Sequence, residues 1–499
     1  MYIAPNTIAR VLKNVRLDNT YSDTIYFDSK EKQTAYFASK TKYTFTNMTY
    51  QRKERRLVVK QVADNMFDCN YLMFQNSAYG NKWFYAFITN VEWLNNETAA
   101  IYFEIDDIQT WFFDFYLDTS FVEREHSATD SVGDNLIEDN LDTGEYVHDD
   151  FIESFVGSKY NYVVAATVDK DYDPNTGGIY SGIYSGVELN VFENASGAST
   201  YLANLPDTLT DAVIALYMMP EAFTNTKNTT TPKTFNASVD KRVSNVWKTF
   251  TPHNNKIYTY PYNFLYVTNL DGIGVSFPYE YFSSEKCTFQ ISGDMSCNPQ
   301  VVMFPLNYKG IEKNYNEKIA LENFPMCAYS VDTYKAWLAQ SAVPSLGQAG
   351  ISATVQASTG NEAGAGVTML SSIANILVQN AARKHDPYAI KGHAGNGASV
   401  ALGIKNFYYS HTHIREEFAR IIDSFWDKFG YPVRRVKIPS THNRPHWNYV
   451  KTVGCDAHGS IPTSAMSNIK AIHDKGITYW MSGDEIGNYL LDNRLKGSS

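Results

Sequence analysis

Cysteine is sparse: Cys69, Cys287, Cys297, Cys327 and Cys455 are the only five in 499 residues. An odd number scattered along a long chain is not the dense pairing of a disulfide-stapled secreted domain, so reduced thiols are expected. The amino terminus has no continuous apolar run and carries Arg10, Lys13 and Arg16 at intervals, which is not a signal-peptide layout; folding in a cytosol is expected. Cations are in deficit, 43 Lys and Arg against 53 Asp and Glu for a net charge of −10. That balance disfavours a repressor or packaging protein, whose affinity rests on tight phosphate binding. Gly-x-Ser-x-Gly, phosphate-loop and His-Glu-x-x-His sequences are all missing, so no usual enzyme signature is present.

What is abundant is aromatic: 36 Tyr and 28 Phe within a 44% apolar, 19% charged composition. Such a chain is globular, and its Tyr and Phe favour strands over helix interiors. Its length suits two to four domains. Bulky residues recur at two-residue spacing in Trp83 to Val91 and Ala100 to Ile105, predicting a sheet from the start to about residue 160. Residues 160–330 continue in β style, with turns at Asp173-Pro174-Asn175 and Gly177-Gly178 and a loop at Asn228 to Pro232. Helices are predicted from Asp332 to Ala342, from Ile414 through Phe418, Ile421, Ile422 and Phe425 to Phe429 with Ser410 or Thr412 as cap, and from Thr463 or Ser464 to just before Gly476. A strand over Ile477 to Met481 closes the chain. Residues 92–155 hold 18 acidic residues and one basic residue, Arg124. This acidity reads either as a solvated rim or as a surface that repels a polyanion.

One segment breaks the pattern. Leu338 to Pro387 is 50 residues without a Phe, Trp or Tyr, where this composition predicts about seven. Between Ser341 and Ala382 the only charge is Glu362, and Gly with Ala fills 14 of 42 positions. As a helix, Ala363 to Ala382 would cover ~30 Å, a bilayer's hydrocarbon thickness. Thr368, Ser372, Asn375 and Gln379 would form a narrow polar stripe, opposite a broad face holding Val367, Met369, Leu370, Ile373, Ile376, Leu377 and Val378. The segment suits a buried helix, or a ring of copies that turns its stripes to water and the rest to lipid. His385 and His393 flank it and could make its exposure pH-sensitive.

Side chains with chemistry of their own are few. His442, His446, Cys455 and His458 loosely resemble zinc ligands but in reversed order; no metal and no cofactor are expected. His411 and His413 lie at the expected start of a helix. Glu104 and Asp106 share a face of an alternating strand and could serve as a glycosidase pair, or belong with Asp107, Asp114 and Asp118 to the acidic surface.

Several stretches resemble the distal tail-tube, or tail knob, proteins of short-tailed podophages that infect Gram-positive bacteria: Tyr71-Leu72-Met73-Phe74-Gln75-Asn76, Tyr79-Gly80-Asn81-Lys82-Trp83-Phe84-Tyr85-Ala86-Phe87, Phe103-Glu104-Ile105-Asp106 with Gln109-Thr110-Trp111, and Arg124-Glu125-His126. Phe429-Gly430-Tyr431, Asn448-Tyr449-Val450, Gly476-Ile477-Thr478 and Asp484-Glu485-Ile486-Gly487-Asn488-Tyr489 agree at the other end. The resemblance is close over 65–130 and 415–493. It implies a mainly β, multidomain, tube-forming virion protein with a few helices, not an enzyme. The implied assembly is a homo-hexameric ring or tube, built in the host cytoplasm and placed at the tail tip. On this reading residues 1–150 and 405–499 build the tube, 151–335 form inserted β knob domains, and 336–404 form a long apolar Gly- and Ala-rich loop. The tube would join other tail and collar proteins and pass double-stranded DNA without sequence-specific binding. The acidic residues Glu104, Asp106, Asp107, Asp114 and Asp118 would face that DNA. The loops would plug the lumen and then act on the host cytoplasmic membrane during genome ejection. The alternatives are a tail-associated cell-wall glycosidase or carbohydrate-binding protein, and a collar or adaptor protein without membrane activity.

Overall fold

The computed structural model describes residues 6–49, 55–154 except 128, 159–166, 213–224, 233–294 except 271, 299–328 except 323 and 325, 406–441 and 448–491, with short stretches between 179 and 204 and the pair 392–393. The expected helix 332–342, the turns near 173–178, the loop 228–232 and Val367 to Val378 lie outside the described residues. The chain divides into two compact units. The first comprises Met1–Gly144, Thr249–Ile257 and Glu416–Ser499, and the second comprises Glu145–Lys248 and Tyr258–Arg415. The short piece 249–257, read from sequence as part of the inserted β region, thus belongs to the first unit.

The first unit holds an antiparallel six-stranded sheet. Its strands are β1 (Thr7–Lys13), β3 (Thr41–Met48), β4 (Arg56–Val59), β5 (Cys69–Gln75), β6 (Phe84–Asn95) and β7 (Thr98–Ile105), while β2 (Asp23–Ile25) pairs elsewhere. The order is β3-β1-β5-β6-β7-β4. Alternate side chains on a strand face opposite sides, and here both sides are covered. Tyr71 and Met73 of β5 enter one apolar core with Tyr85 and Phe87, while Leu72, Phe74 and Ala86 enter another. The unbroken apolar run Tyr71 to Phe74 is what burial on two faces demands. On the first of these cores lies α1 (Lys30–Ser39), which the sequence reading placed within a sheet. Ser29 caps it by accepting from the Lys32 N–H at 3.3 Å, and Phe37 stacks on Tyr71 with centroids 5.1 Å apart. Only Gln33 and Phe37 of α1 are buried, too few for a legible apolar stripe.

The same core takes Ile469 and Ile472 from α4 (Thr463–Lys475), a helix that follows α2 (Asp107–Trp111) and α3 (Glu416–Phe429). A second sheet runs β2, Ile477–Trp480, Asn448–Val453, β9 (Ser120–Glu125), Tyr431–Lys437, with β2 parallel to its neighbour and the others antiparallel. The two-stranded pairing of β8 (Phe115–Leu117) with Ala457–Gly459 adds a further link between the ends of the chain. Helix α3 ends where Gly430 takes φ +61°, and a Cβ there would lie 2.5 Å from the Glu125 carbonyl; only glycine tolerates both the angle and the approach.

Buried charge fastens these pieces. Asp139 is fully buried and accepts from the Arg124 guanidinium of β9, from the Trp426 indole N–H of α3 at 2.6 Å and from Lys256 Nζ at 3.4 Å. Arg124 also donates to the Gly430 and Phe429 carbonyls at 2.7 and 3.2 Å, and Lys256 to the Ile137 carbonyl. Burial pulls the Lys256 ammonium down to about 8 against the opposing pull of Asp139. Next to Arg124, Glu125 binds Lys437 and the Ser440 N–H. His126 accepts at Nδ1 from the Tyr449 N–H at 2.7 Å and so donates from Nε2 to the Trp426 carbonyl at 3.0 Å.

Among the described residues, three five-stranded sheets of the second unit share one core. One is centred on Tyr408–Ile414, flanked by Tyr146–His148 and Asn263–Thr268; one on Tyr160–Ala166 between Glu188–Phe192 and Val213–Pro220; and one on Lys286–Asp294 between Lys233–Asp240 and Gln300–Tyr308. The first and last residues of this unit meet: the Arg415 N–H donates to the Glu145 carbonyl at 3.0 Å and its guanidinium to the Glu145 carboxylate at 2.7 Å. Ser410 and Thr412 are therefore strand residues and not a helix cap, and His411 and His413 sit in the same strand. His413 is buried, its Nδ1 unpartnered, and burial with Arg242, His148 and His411 pushes it down to about 4.

Two outcomes are expected. Asp139→Ala strands a buried guanidinium and ammonium and should cost about 3 to 5 kcal/mol, read as a lowered denaturant midpoint; an unchanged midpoint would refute the clasp. Because the folded His413 stays neutral where the unfolded one is charged, its contribution is complete above about pH 6.5 and is lost as pH falls towards 4. Thermal melting should drop over that window in the wild type, and His413→Gln should flatten the slope.

Candidate functional site

Between the end of β7 and β9 the chain carries all five acidic residues expected on one surface. Asp106 is not on it. This residue is 2% exposed and caps α2, with one oxygen accepting from the Gln109 N–H at 2.9 Å and the other from the Tyr71 hydroxyl at 2.8 Å. Burial, offset by those bonds, raises its carboxyl to about 7. A carboxyl sealed in a core cannot meet DNA or a glycosidic bond, so the Glu104–Asp106 glycosidase pairing fails as well. Asp114 is neutralised by Lys82 and by Lys30 at 3.4 Å, and Asp118 pairs with His458 at 2.7 Å.

Glu104 and Asp107 do converge, on a cavity of about 540 Å³ also lined by Arg55, Tyr79, Phe84, Trp111, Ser464 and Asn468. Asp107 opens α2 and accepts from Asn468 of α4 at 2.7 Å. Burial raises its carboxyl, opposed by the Asn468 bond and by the Arg55 charge. Glu104 accepts from Asn19 at 3.4 Å. One wall is aromatic: Trp111 meets Phe84 edge-on at 6.1 Å, Phe84 meets Tyr79 at 5.8 Å, and Lys82 lies 3.6 Å from the Trp111 centroid. The sequence reading named the carboxylates but not Arg55 or Asn468, which reach the cavity from about 50 residues before and 360 residues after them. No sequence spacing announces such a meeting.

A second cluster was unforeseen. His253, Asp423 and Asp427 hold donor atoms within 4.8 Å of one another. Their oxygens are engaged: Asp423 accepts from the His253 and Asn254 N–H groups at 3.0 and 2.9 Å, and Asp427 from Asn254 Nδ2 and His253 Nδ1. Burial and the neighbouring Asp427 raise Asp423 to about 6. The arrangement clasps the loop 253–255 to α3 and is not an open coordination sphere. Of the suggested zinc ligands, His442 and His446 lie outside the described residues. Cys455 and His458 turn to separate partners, the Asp456 carbonyl and the Asp118 carboxylate.

Comparison with known proteins agrees with this architecture. Residues 222–494, more than half of the chain, match the family described as the C-terminal domain of tail knob protein gp9 of Bacillus phage phi29. Residues 5–116, spanning the six-stranded sheet, match the N-terminus of caudoviral major tail proteins. The tail knob protein gp9 of Bacillus phage phi29 is 26% identical over 98% of this chain and 99% of its own length, and that of Bacillus phage B103 is 25% identical over the same shares. The fold is also that of the tail knob protein gp12 of bacteriophage C1, with a TM-score of 0.64 and 15% identity over 98% of this chain and 100% of that one. With more than half its residues in the family match and its sheets in the fold of a solved tail knob, the chain belongs to the tail knob proteins of short-tailed phages of Gram-positive bacteria, as a structural part of the virion tail and not an enzyme.

Proposed function

We propose that six copies of the chain close into a ring that extends the tail as a tube and passes double-stranded DNA without binding its sequence. In this reading the first unit builds the wall, the second forms the knob, and residues 336–404 plug the lumen before entering the host membrane. The observation that carries it is the segment Leu338 to Pro387, which has no aromatic residue in a chain that is otherwise 14% aromatic. It is styled neither as core nor as a polar linker. Six such segments can cover one another within a lumen, where a single exposed one could not be shielded. The net charge of −10 per chain suits a conduit, because a wall with few free cations gives phosphates nowhere to halt. Glu104, Asp107, Asp114 and Asp118 remain candidates for that wall. No described helix is long and apolar enough to cross a membrane, and the membrane role is assigned to 363–382 on sequence alone.

The particle mass should correspond to six chains, and deletion of 341–404 behind a short linker should leave it so. The wild-type protein should release dye from liposomes between about pH 5 and 8. A charge at the centre of a lipid-facing helix costs about 2.5 to 3.5 kcal/mol on insertion scales. Ile373→Asp or Leu377→Asp should therefore abolish leakage while sparing assembly. Leakage by Leu377→Asp equal to wild type would reduce the segment to a plug, and a tight ring with no leakage at all would favour a collar or adaptor.

A further inference from the structure

The cavity of about 540 Å³ on the first unit shares Glu104 and Asp107 with the proposed wall, which gives it no ligand. Its size is ordinary for a small-molecule site, and its composition is not that of a packing defect. Aromatic Tyr79, Phe84 and Trp111 line it together with polar Glu104, Asp107, Arg55 and Asn468. Among the described residues the Arg55 side chain makes no hydrogen bond or ion pair, and Glu104 has only a long 3.4 Å contact with Asn19. Asp107 lines the cavity and accepts from Asn468 with one oxygen. Unspent hydrogen-bonding capacity is therefore gathered in one cavity with aromatic side chains.

The chemistry that fits can be narrowed by charge. Two carboxylates repel a phosphate or any other anion, and Arg55, close enough to bear on Asp107, works against an organic cation. A neutral molecule with one apolar face and a rim of paired hydroxyls uses every group present. Its C–H face would stack on an aromatic ring, whose face carries partial negative charge. Its hydroxyls would donate to Glu104 and Asp107 and accept from Arg55 and Asn468, bonds that are stronger for being charge-assisted. We propose that this cavity binds a pyranose ring, as a saccharide recognition site and without cleaving it. Recognition without cleavage is in keeping with the structural, non-enzymatic family to which the chain belongs.

Saturation-transfer NMR on the purified, assembled protein tests it, with glucose, galactose, N-acetylglucosamine and N-acetylgalactosamine as probes, and glycerol phosphate and choline as charged controls. At least one sugar should receive saturation, and neither control should. Glu104→Gln combined with Arg55→Ala alters exposed or half-exposed groups and should weaken binding at least about tenfold, the effect of losing roughly 1.4 kcal/mol of charged hydrogen bonding. Ser464→Trp, at an exposed position on α4, should block the cavity by bulk alone, and particle mass and circular dichroism should show both proteins assembled and folded. Absence of transfer to all four sugars, binding indifferent to both variants, or transfer to a charged control instead would overturn the proposal.

Discussion

A single carboxylate sets the geometry of the first unit. Asp139 gathers an arginine from a central strand, a lysine from a short segment more than a hundred residues away and an indole from a helix almost three hundred residues away. None of these donors can be left in an apolar interior without a partner. The pieces must therefore arrive together or not at all. The adjacent clasp, in which Asn254 and His253 bind Asp423 and Asp427, works on the same principle from the other side of α3. Together they explain why a segment of nine residues, Thr249–Ile257, belongs to a unit from which it is far removed in sequence.

The six-stranded sheet obeys a different constraint. Antiparallel sheets commonly keep one wet face, yet β5 sends its odd-numbered aromatic and methionine side chains into one core and its even-numbered ones into another. The second face is dry because α1, α4 and the carboxyl-terminal strand close over it. Covering the sheet on both sides leaves the cavity at the seam between α2, α4 and the end of β7 as a place where polar groups can still collect.

How far the residues announced this depends on the kind of signal. The β-rich character was plain from Tyr and Phe content, and α4 with its closing strand was plain because Ile469, Ile472 and Gly476 fall at the right spacings. The helical spacing also marks α3, but its buried face differs from the apolar one. Ile421 is 65% exposed while Asp423 is buried, because apolar periodicity carries no record of the Asn254 donors waiting for that carboxylate. Its expected cap failed for a related reason. Tyr408 to Ile414 is a strand buried nearly throughout, and its pairing with Asn263–Thr268 decides the matter from far away. Asp106 looked like one acid among several; only the Tyr71 hydroxyl and the α2 amides reveal it as a cap. Glu104 and Asp107 were legible as acids but not as cavity walls, since Arg55 and Asn468 meet them only in three dimensions.

The parallel pairing of β2 with Ile477–Trp480 has a consequence for biosynthesis. The two strands are separated by about 450 residues, which a ribosome emitting ~5 to 20 residues per second takes about 20 to 90 s to deliver. The six-stranded sheet is complete in the first 105 residues, and the second unit, whose first and last residues are joined at Glu145 and Arg415, closes before α3 emerges. The core shared by α1 and α4 must wait, open on one side, until nearly the whole polypeptide exists. The β2 pairing and the α4 packing are thereby withheld from nascent chains, so that the first unit is closed only in the finished polypeptide.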